Sequence, residues 1–276
     1  MPKKLYLHIG IPKTGTSYIQ SVLNANSTEE NLTVHYPVDK YKKFNFIPTA
    51  GNGIEFCRAI LDSKSEEAEQ LLLSYFSNSE TVLLSSEVFS IVDNIGILNI
   101  NKIAVKNNIT IIVIAMVRDL YGYFWSGYSQ TIKRGKETRS FIDNARERPL
   151  CLDRIYEYAK IGELKIFHYN SMNNILEPFI ALGLLKSTKQ KGLKAVNIAL
   201  SNRQMSLVKI ANLFLPVKYT SIISDLISSR NKPIVPPHNE EVNRFLVASY
   251  TDIVNKFNQD FNLNLKVGYY QGRNLQ

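Results

Sequence analysis

The sequence predicts an α/β fold, with a mostly parallel central sheet flanked by helices and a helix-rich C-terminal part. Three observations carry that expectation. Short apolar runs over residues 5–9, 81–85, 109–117 and 164–168 alternate with longer stretches of helical periodicity, the pattern of strands joined by crossover helices. The run over 109–117 is almost wholly apolar and β-branched through its first half, as a central parallel strand requires. Polar clusters follow three of the runs, at residues 13–17, 85–87 and 118–119, and open parallel sheets bind ligands at the carboxyl ends of their strands. A chain of 276 residues suits one large domain, read here as an α/β core over 1–182 and a helical part over 183–276.

The elements follow in order. Tyr18, Ile19, Val22 and Leu23 recur at helical spacing until the cluster Asn24-Ala-Asn-Ser-Thr28 stops them. Residues 34–37 suit a short edge strand ended by Pro37. Residues 39–53 are irregular and long for a connection; such loops bind ligands or bury their own aromatics. Ser65 is placed to cap a helix with apolar face Leu71, Leu72, Tyr75 and Phe76, and Glu66 and Glu67 favour its positive end. Residues 97–107, 120–133, 140–148 and 152–161 read as further helices. Asn170-Ser171 caps another, reaching Leu182, and 183–199 is a weakly patterned crossing segment. The last strong helices are 204–215, stopped by Pro216, and 240–261, capped by Asn239.

Composition narrows the chemistry. A hydrophobic content of 45% is ordinary for a soluble globular chain. No apolar leader follows Lys3-Lys4, and 109–117 is too short to cross a bilayer as a helix, so a cytoplasmic enzyme is expected, with peripheral contact at an inner membrane face left open. Two cysteines and four scattered histidines give neither a disulfide framework nor a metal set. The net charge of +9 suits a polyanion or plain solubility. No helix-turn-helix or arginine–aromatic ladder supports nucleic-acid binding.

The stretch from Lys4 to Ser17 organises the rest. Gly10 and Gly15 bracket a turn between strand and helix, and such a loop gathers backbone N–H groups and a helix N-terminus around a phosphate or sulfate. A nucleoside triphosphatase would carry lysine directly after the second glycine; here Thr16 stands there and Lys13 lies inside the loop. The pattern Pro12-Lys-Thr-Gly-Thr-Ser17 resembles the 5′-phosphosulfate loop of the sulfotransferases, which use 3′-phosphoadenosine 5′-phosphosulfate (PAPS). Farther on, Arg118 leaves a buried strand, and Ser126, eight residues later, falls on the same side of the following helix. Residues 117–128 resemble the 3′-phosphate motif of that family, with Leu120 in place of its proline. Residues 196–203 are similar to an Asn/Ser segment of its bacterial carbohydrate-type members, which implies Asn197, Ser201 and Arg203 near the nucleotide; a loop ending in a helix cap is the plainer reading of those three.

The resemblance implies a P-loop NTPase-like fold and transfer of a sulfuryl group from PAPS to a hydroxyl or amine, releasing adenosine 3′,5′-bisphosphate (PAP) without a metal. It implies that Lys13, Thr14, Gly15, Thr16, Ser17, Arg118 and Ser126 hold the nucleotide, and that Lys13 also stabilises the leaving oxygen. Glu87, at the end of the run 81–85, is the expected base: carbohydrate-type members often place a glutamate there, and burial raises a carboxyl pKa toward neutrality. His8 is the second candidate, for which a core role is favoured, and His35 a weaker third. The expected acceptor contains a sugar, as a carbohydrate or glycolipid. The 39–53 loop, Tyr121, Tyr123, Trp125 and the Lys133-Arg-Gly-Lys136 turn could line its groove, although aromatics at helical spacing more often pack inside. A P-loop kinase or nucleoside triphosphatase, and a non-catalytic nucleotide- or glycan-binding protein, stay open as alternatives.

Overall fold

The computed structural model describes residues 2–27, 31–38, 51–187, 200–228 and 236–269. The chain runs β1 (Lys3–His8), α1 (Thr16–Ala25), α2 (Ile54–Leu61), α3 (Ser65–Tyr75), β2 (Thr81–Ser85), a 3-10 turn (Glu87–Ile91), α4 (Asn94–Lys106), β3 (Ile109–Val117), α5 (Leu120–Arg134), α6 (Phe141–Glu147), α7 (Leu152–Ala159) and β4 (Glu163–His168). A second 3-10 turn (Tyr169–Ser171), α8 (Glu177–Ala181), α9 (Asn202–Phe214), α10 (Val217–Ser228) and α11 (Glu240–Phe261) complete it. The four strands form one all-parallel sheet in the order β2-β1-β3-β4, the predicted α/β arrangement. Two compact units divide the chain: Met1–Val117 with Leu150–Lys194, and Arg118–Pro149 with Ala195–Gln276.

The first unit holds the sheet. Leu5 and Leu7 of β1, Val82 to Leu84 of β2 and Ile111 to Val117 of β3 are all buried, which is why these runs carry no polar face. The register sets Leu5 beside Val82 and Ile111, and His8 beside Ser85 and Ile114. The chain leaves β1 toward β2 but β3 toward β4, so the strand order reverses between β1 and β3, and a crevice is expected at their carboxyl ends. The free side of β2 is covered in pieces. His35 donates its N–H to Thr81 O at 2.9 Å and accepts from Leu83 N at 3.0 Å. The Asn52 amide then donates to Leu83 O at 2.8 Å and accepts from Ser85 N at 2.7 Å, acting as one peptide unit of a neighbouring strand.

Several local expectations change. Residues 34–37 make a single bridge at His35 rather than a strand. Lys64, not Ser65, occupies the N-cap of α3, and the Ser65 hydroxyl accepts from Asn99 Nδ2 at 2.8 Å instead. The helix expected up to Leu182 is confined to Glu177–Ala181, because the Asn174 side chain accepts from Leu176 N at 2.9 Å and turns the chain there. α2 buries Ile54, Phe56, Cys57, Ala59 and Ile60 within eight residues, too few for its periodicity to stand out. Residues 39–50 of the long loop and 188–199 of the crossing segment, Asn197 among them, lie outside the described residues.

The second unit is helical. Tyr121, Tyr123, Phe124, Trp125 and Tyr128 of α5 are buried, with Tyr128 stacked on Phe141 at 5.1 Å. Tyr121 Oη donates to Pro237 O at 2.7 Å and Tyr123 Oη to Pro149 O at 2.9 Å. These aromatics are core, so the expectation that they line an acceptor groove falls. Lys133 is buried as well and Arg134 holds Asp225 at 2.6 Å, while Lys136 of the same turn is exposed. Pro216 stops α9 as expected and also starts α10, its carbonyl accepting from Tyr219 N at 3.0 Å.

The Glu137 carboxylate ties this unit together. It accepts from Arg139 Nε at 3.0 Å, Arg139 Nη2 at 2.8 Å, Asn144 Nδ2 at 3.0 Å and the backbone N–H groups of Thr138 and Arg139 at 3.0 and 2.9 Å. The Arg139 guanidinium, chiefly, holds the Glu137 pKa down to about 2. A depressed carboxyl pKa contributes stability that is full above the unfolded value and lost as pH falls through the folded one. Stability measured by urea unfolding should therefore decline as pH drops from about 4.5 toward 2. Glu137→Gln should cost about 2–3 kcal/mol at pH 7 and flatten that acid limb.

Candidate active site

The first unit brings the ends of β1 and β2 to one place. Past His8 the chain turns through three left-handed residues, Gly10 (φ 39°), Lys13 (φ 72°) and Gly15 (φ 79°), before α1 begins. A Cβ on Gly15 would lie 2.0 Å from Ile175 Cδ1, and one on Gly10 would lie 3.0 Å from Thr16 Oγ1. Both positions thus need glycine for conformation and for space. Thr14 is fully buried, and its hydroxyl donates to Ile11 O at 2.7 Å, bracing the loop from inside. Gly15 is the N-cap of α1, with no side-chain cap and no acid in the first turn, so the positive end of that helix is not offset by a carboxylate of its own. Ser17 stands partly exposed in that turn.

From β2 comes the partner group. Ser86 is buried and caps the 3-10 turn, accepting from Val88 N at 3.2 Å. Glu87 opens that turn. Burial pushes its carboxyl pKa up, while the Lys13 ammonium pulls against the rise, and the Thr16 hydroxyl close by is buried with no hydrogen-bond partner of its own among the described residues. Lys13, Thr16 and Glu87 therefore share one field, Lys13 from the loop after β1, Thr16 from the start of α1 and the acid from the end of β2. The arrangement offers a cation and a helix N-terminus to an anion, beside a carboxylate poised to accept a proton.

His8 sits below this group and is fully enclosed. Its Nδ1 lies 2.8 Å from Ser85 Oγ, which also accepts from Gln20 Nε2 at 3.3 Å, and its ring meets Phe179 edge-on at 5.3 Å. Burial lowers its pKa to about 4, so the imidazole is neutral at pH 7. His35 is exposed and pairs with the first half of β2, away from its carboxyl end.

In the second unit, Arg118 precedes α5 and its guanidinium lies over Gly122, whose absent Cβ would stand 3.0 Å from Nε. Ser126 is one further turn along the same side, partly exposed like Arg118. Asp119 accepts from Lys266 N at 2.9 Å and Leu120 N donates to Lys266 O at 2.9 Å, fixing the helix start without the proline of the resembled motif. Ser201 forms a capping box with Gln204 at the start of α9, and Arg203 is exposed on its first turn.

The chain matches no protein-family model, no curated protein and no solved structure. Among the described residues, no group of three or more His, Cys, Asp or Glu is gathered as a metal site would need. Gln20, Asn52 and Ile175 also brace the site, and the sequence marks none of them beyond the glycines that flank Asn52.

Two substitutions test the loop. Gly15→Ala should destabilise by about 2–4 kcal/mol, from conformational strain and the clash with Ile175, and Ile175→Ala should recover part of the loss. Lys13→Gly should be about 1 kcal/mol more stable than Lys13→Ala, since only the glycine relaxes at positive φ. Chemical denaturation of the four variants checks both.

Proposed function

We propose that the protein is a PAPS-dependent sulfotransferase with a P-loop NTPase-like core, acting in the cytoplasm on a sugar-containing acceptor, carbohydrate or glycolipid. The observation that carries the reading is the meeting of Lys13, Thr16 and Glu87 at the ends of adjacent parallel strands. The order of the sequence motifs adds support. In this proposal the loop N–H groups, Thr16 and Ser17 hold the 5′-phosphosulfate, while Gly15 and the buried Thr14 shape the loop. Arg118 and Ser126 take the 3′-phosphate, for which a permanently charged, forked guanidinium is suited.

Glu87 accepts the proton of the acceptor hydroxyl as its oxygen bonds to sulfur. The bond from sulfur to the bridging oxygen breaks, and the negative charge that grows on that oxygen is stabilised by Lys13. PAP leaves with the charge. His8, neutral and enclosed, serves the site through Ser85 rather than by proton transfer.

Calorimetry should find PAP binding tightly with a chelator present, and AMP binding at least tenfold more weakly. Arg118→Ala should remove most of that preference. Equal affinity for PAP and AMP in the unsubstituted protein would overturn the assignment, and magnesium-dependent ATP turnover would favour a kinase or nucleoside triphosphatase. Glu87→Gln should lower kcat about 10²–10⁴-fold while PAP affinity changes little. Because burial raises the Glu87 pKa, activity should fall on the acid side at a higher pH than an ordinary glutamate sets. A pH–rate profile of sulfuryl transfer reads that limb.

A further inference from the structure

α9 and α10 are joined by two residues and packed on each other, and α10 is built inside out. The buried side of α10 is Thr220, Ser224 and Ser228, whose hydroxyls donate to the carbonyls of Val217, Ser221 and Asp225 in their own helix. α9 buries Met205, Val208 and Asn212, and Asn212 donates to Ile132 O at 2.9 Å and Glu137 O at 3.0 Å. A large apolar set on both helices nevertheless faces outward. Leu207, Ile210 and Phe214 recur at helical spacing on α9, and Tyr219, Ile222 and Leu226 do so on α10, with Phe214 79% and Leu226 71% exposed. Leu213, Leu215 and Val217 extend the face around the turn.

Charge is concentrated in the same stretch of sequence. Residues 186–235 hold nine lysines and arginines and a single acid, Asp225, so they supply nearly all of the chain's net charge of +9. Asp225 is itself held by Arg134 at 2.6 Å. Lys218 stands exposed in the first turn of α10, beside Tyr219. A nucleic acid would answer the charge but leave the leucines and isoleucines in water. A second copy would cover the apolar face but set like charges against each other. An anionic bilayer answers both, taking the apolar side chains below its headgroups and the cations among them.

We propose that the outward face of the α9–α10 hairpin docks on an anionic lipid surface, with Phe214, Ile222 and Leu226 as its apolar anchors and Lys218 among the headgroups. Co-sedimentation of the full chain with vesicles tests this. The chain should pellet with vesicles of mixed phosphatidylcholine and phosphatidylglycerol, stay in solution with phosphatidylcholine alone, and release as salt rises. Phe214→Ser, Ile222→Ser and Leu226→Ser together should abolish the binding while circular dichroism and the thermal midpoint hold. Lys218→Gln alone should weaken it about fivefold. Undiminished binding of the triple variant, or no vesicle binding by the unsubstituted chain, would overturn the proposal. So would sedimentation velocity showing a lipid-free dimer that the triple variant turns into a monomer, since a second copy would then cover the face.

Discussion

The pairing of β1 with β2 decides where Lys13, Thr16 and Glu87 stand in the first unit. His8 is set beside Ser85, so two residues farther along each strand the chain reaches Gly10 on one side and Glu87 on the other. A slip of one residue would turn alternate side chains to the opposite face of the sheet and carry the Glu87 carboxyl away from Lys13. The register is held from three directions. Leu5, Leu7, Val82, Leu83 and Leu84 are fully buried. The Ser85 hydroxyl bonds His8 and Gln20, and the Ser85 N–H bonds the Asn52 amide. A polar contact buried this deeply resists displacement, because any shift would leave several donors without acceptors.

The same site concentrates backbone strain. Three left-handed residues fall within six positions, and one of them, Lys13, carries a side chain. That conformation costs about 1 kcal/mol or more and persists where the surroundings over-determine it. Thr14 supplies the internal bond and Ile175 the cover. The loop's shape thus rests on contacts within the protein itself.

Much of this was legible in the sequence, and the exceptions have physical causes. β2 and β3 lie where the apolar runs put them, because a strand buried on both faces has no room for polar residues. The glycine-framed loop and Glu87 were legible because left-handed turns demand glycine and because strand ends face the ligand side of a parallel sheet. The role of Asn52 was not, since an amide that mimics a strand depends on a partner some thirty residues away. The aromatics of α5 were ambiguous by nature: helical spacing serves core and groove alike, and only Phe141, Tyr269 and the carbonyls of Pro149 and Pro237 settle them as core. α10 hides because its inner side is made of hydroxyls, the reverse of the pattern by which amphipathic helices are recognised.

The patched flank of β2 has a bearing on self-association. An open sheet margin invites a strand from another molecule, and here the invitation is withdrawn on one side by His35, the Asn52 amide and Gly53, whose N–H donates to Ser85 O at 3.2 Å. The opposite margin, β4, alternates Glu163 and Lys165, bridged at 2.6 Å, so an incoming strand would have to desolvate charge. Fibril growth by strand addition therefore meets an occupied border at one end of the sheet and a charged one at the other.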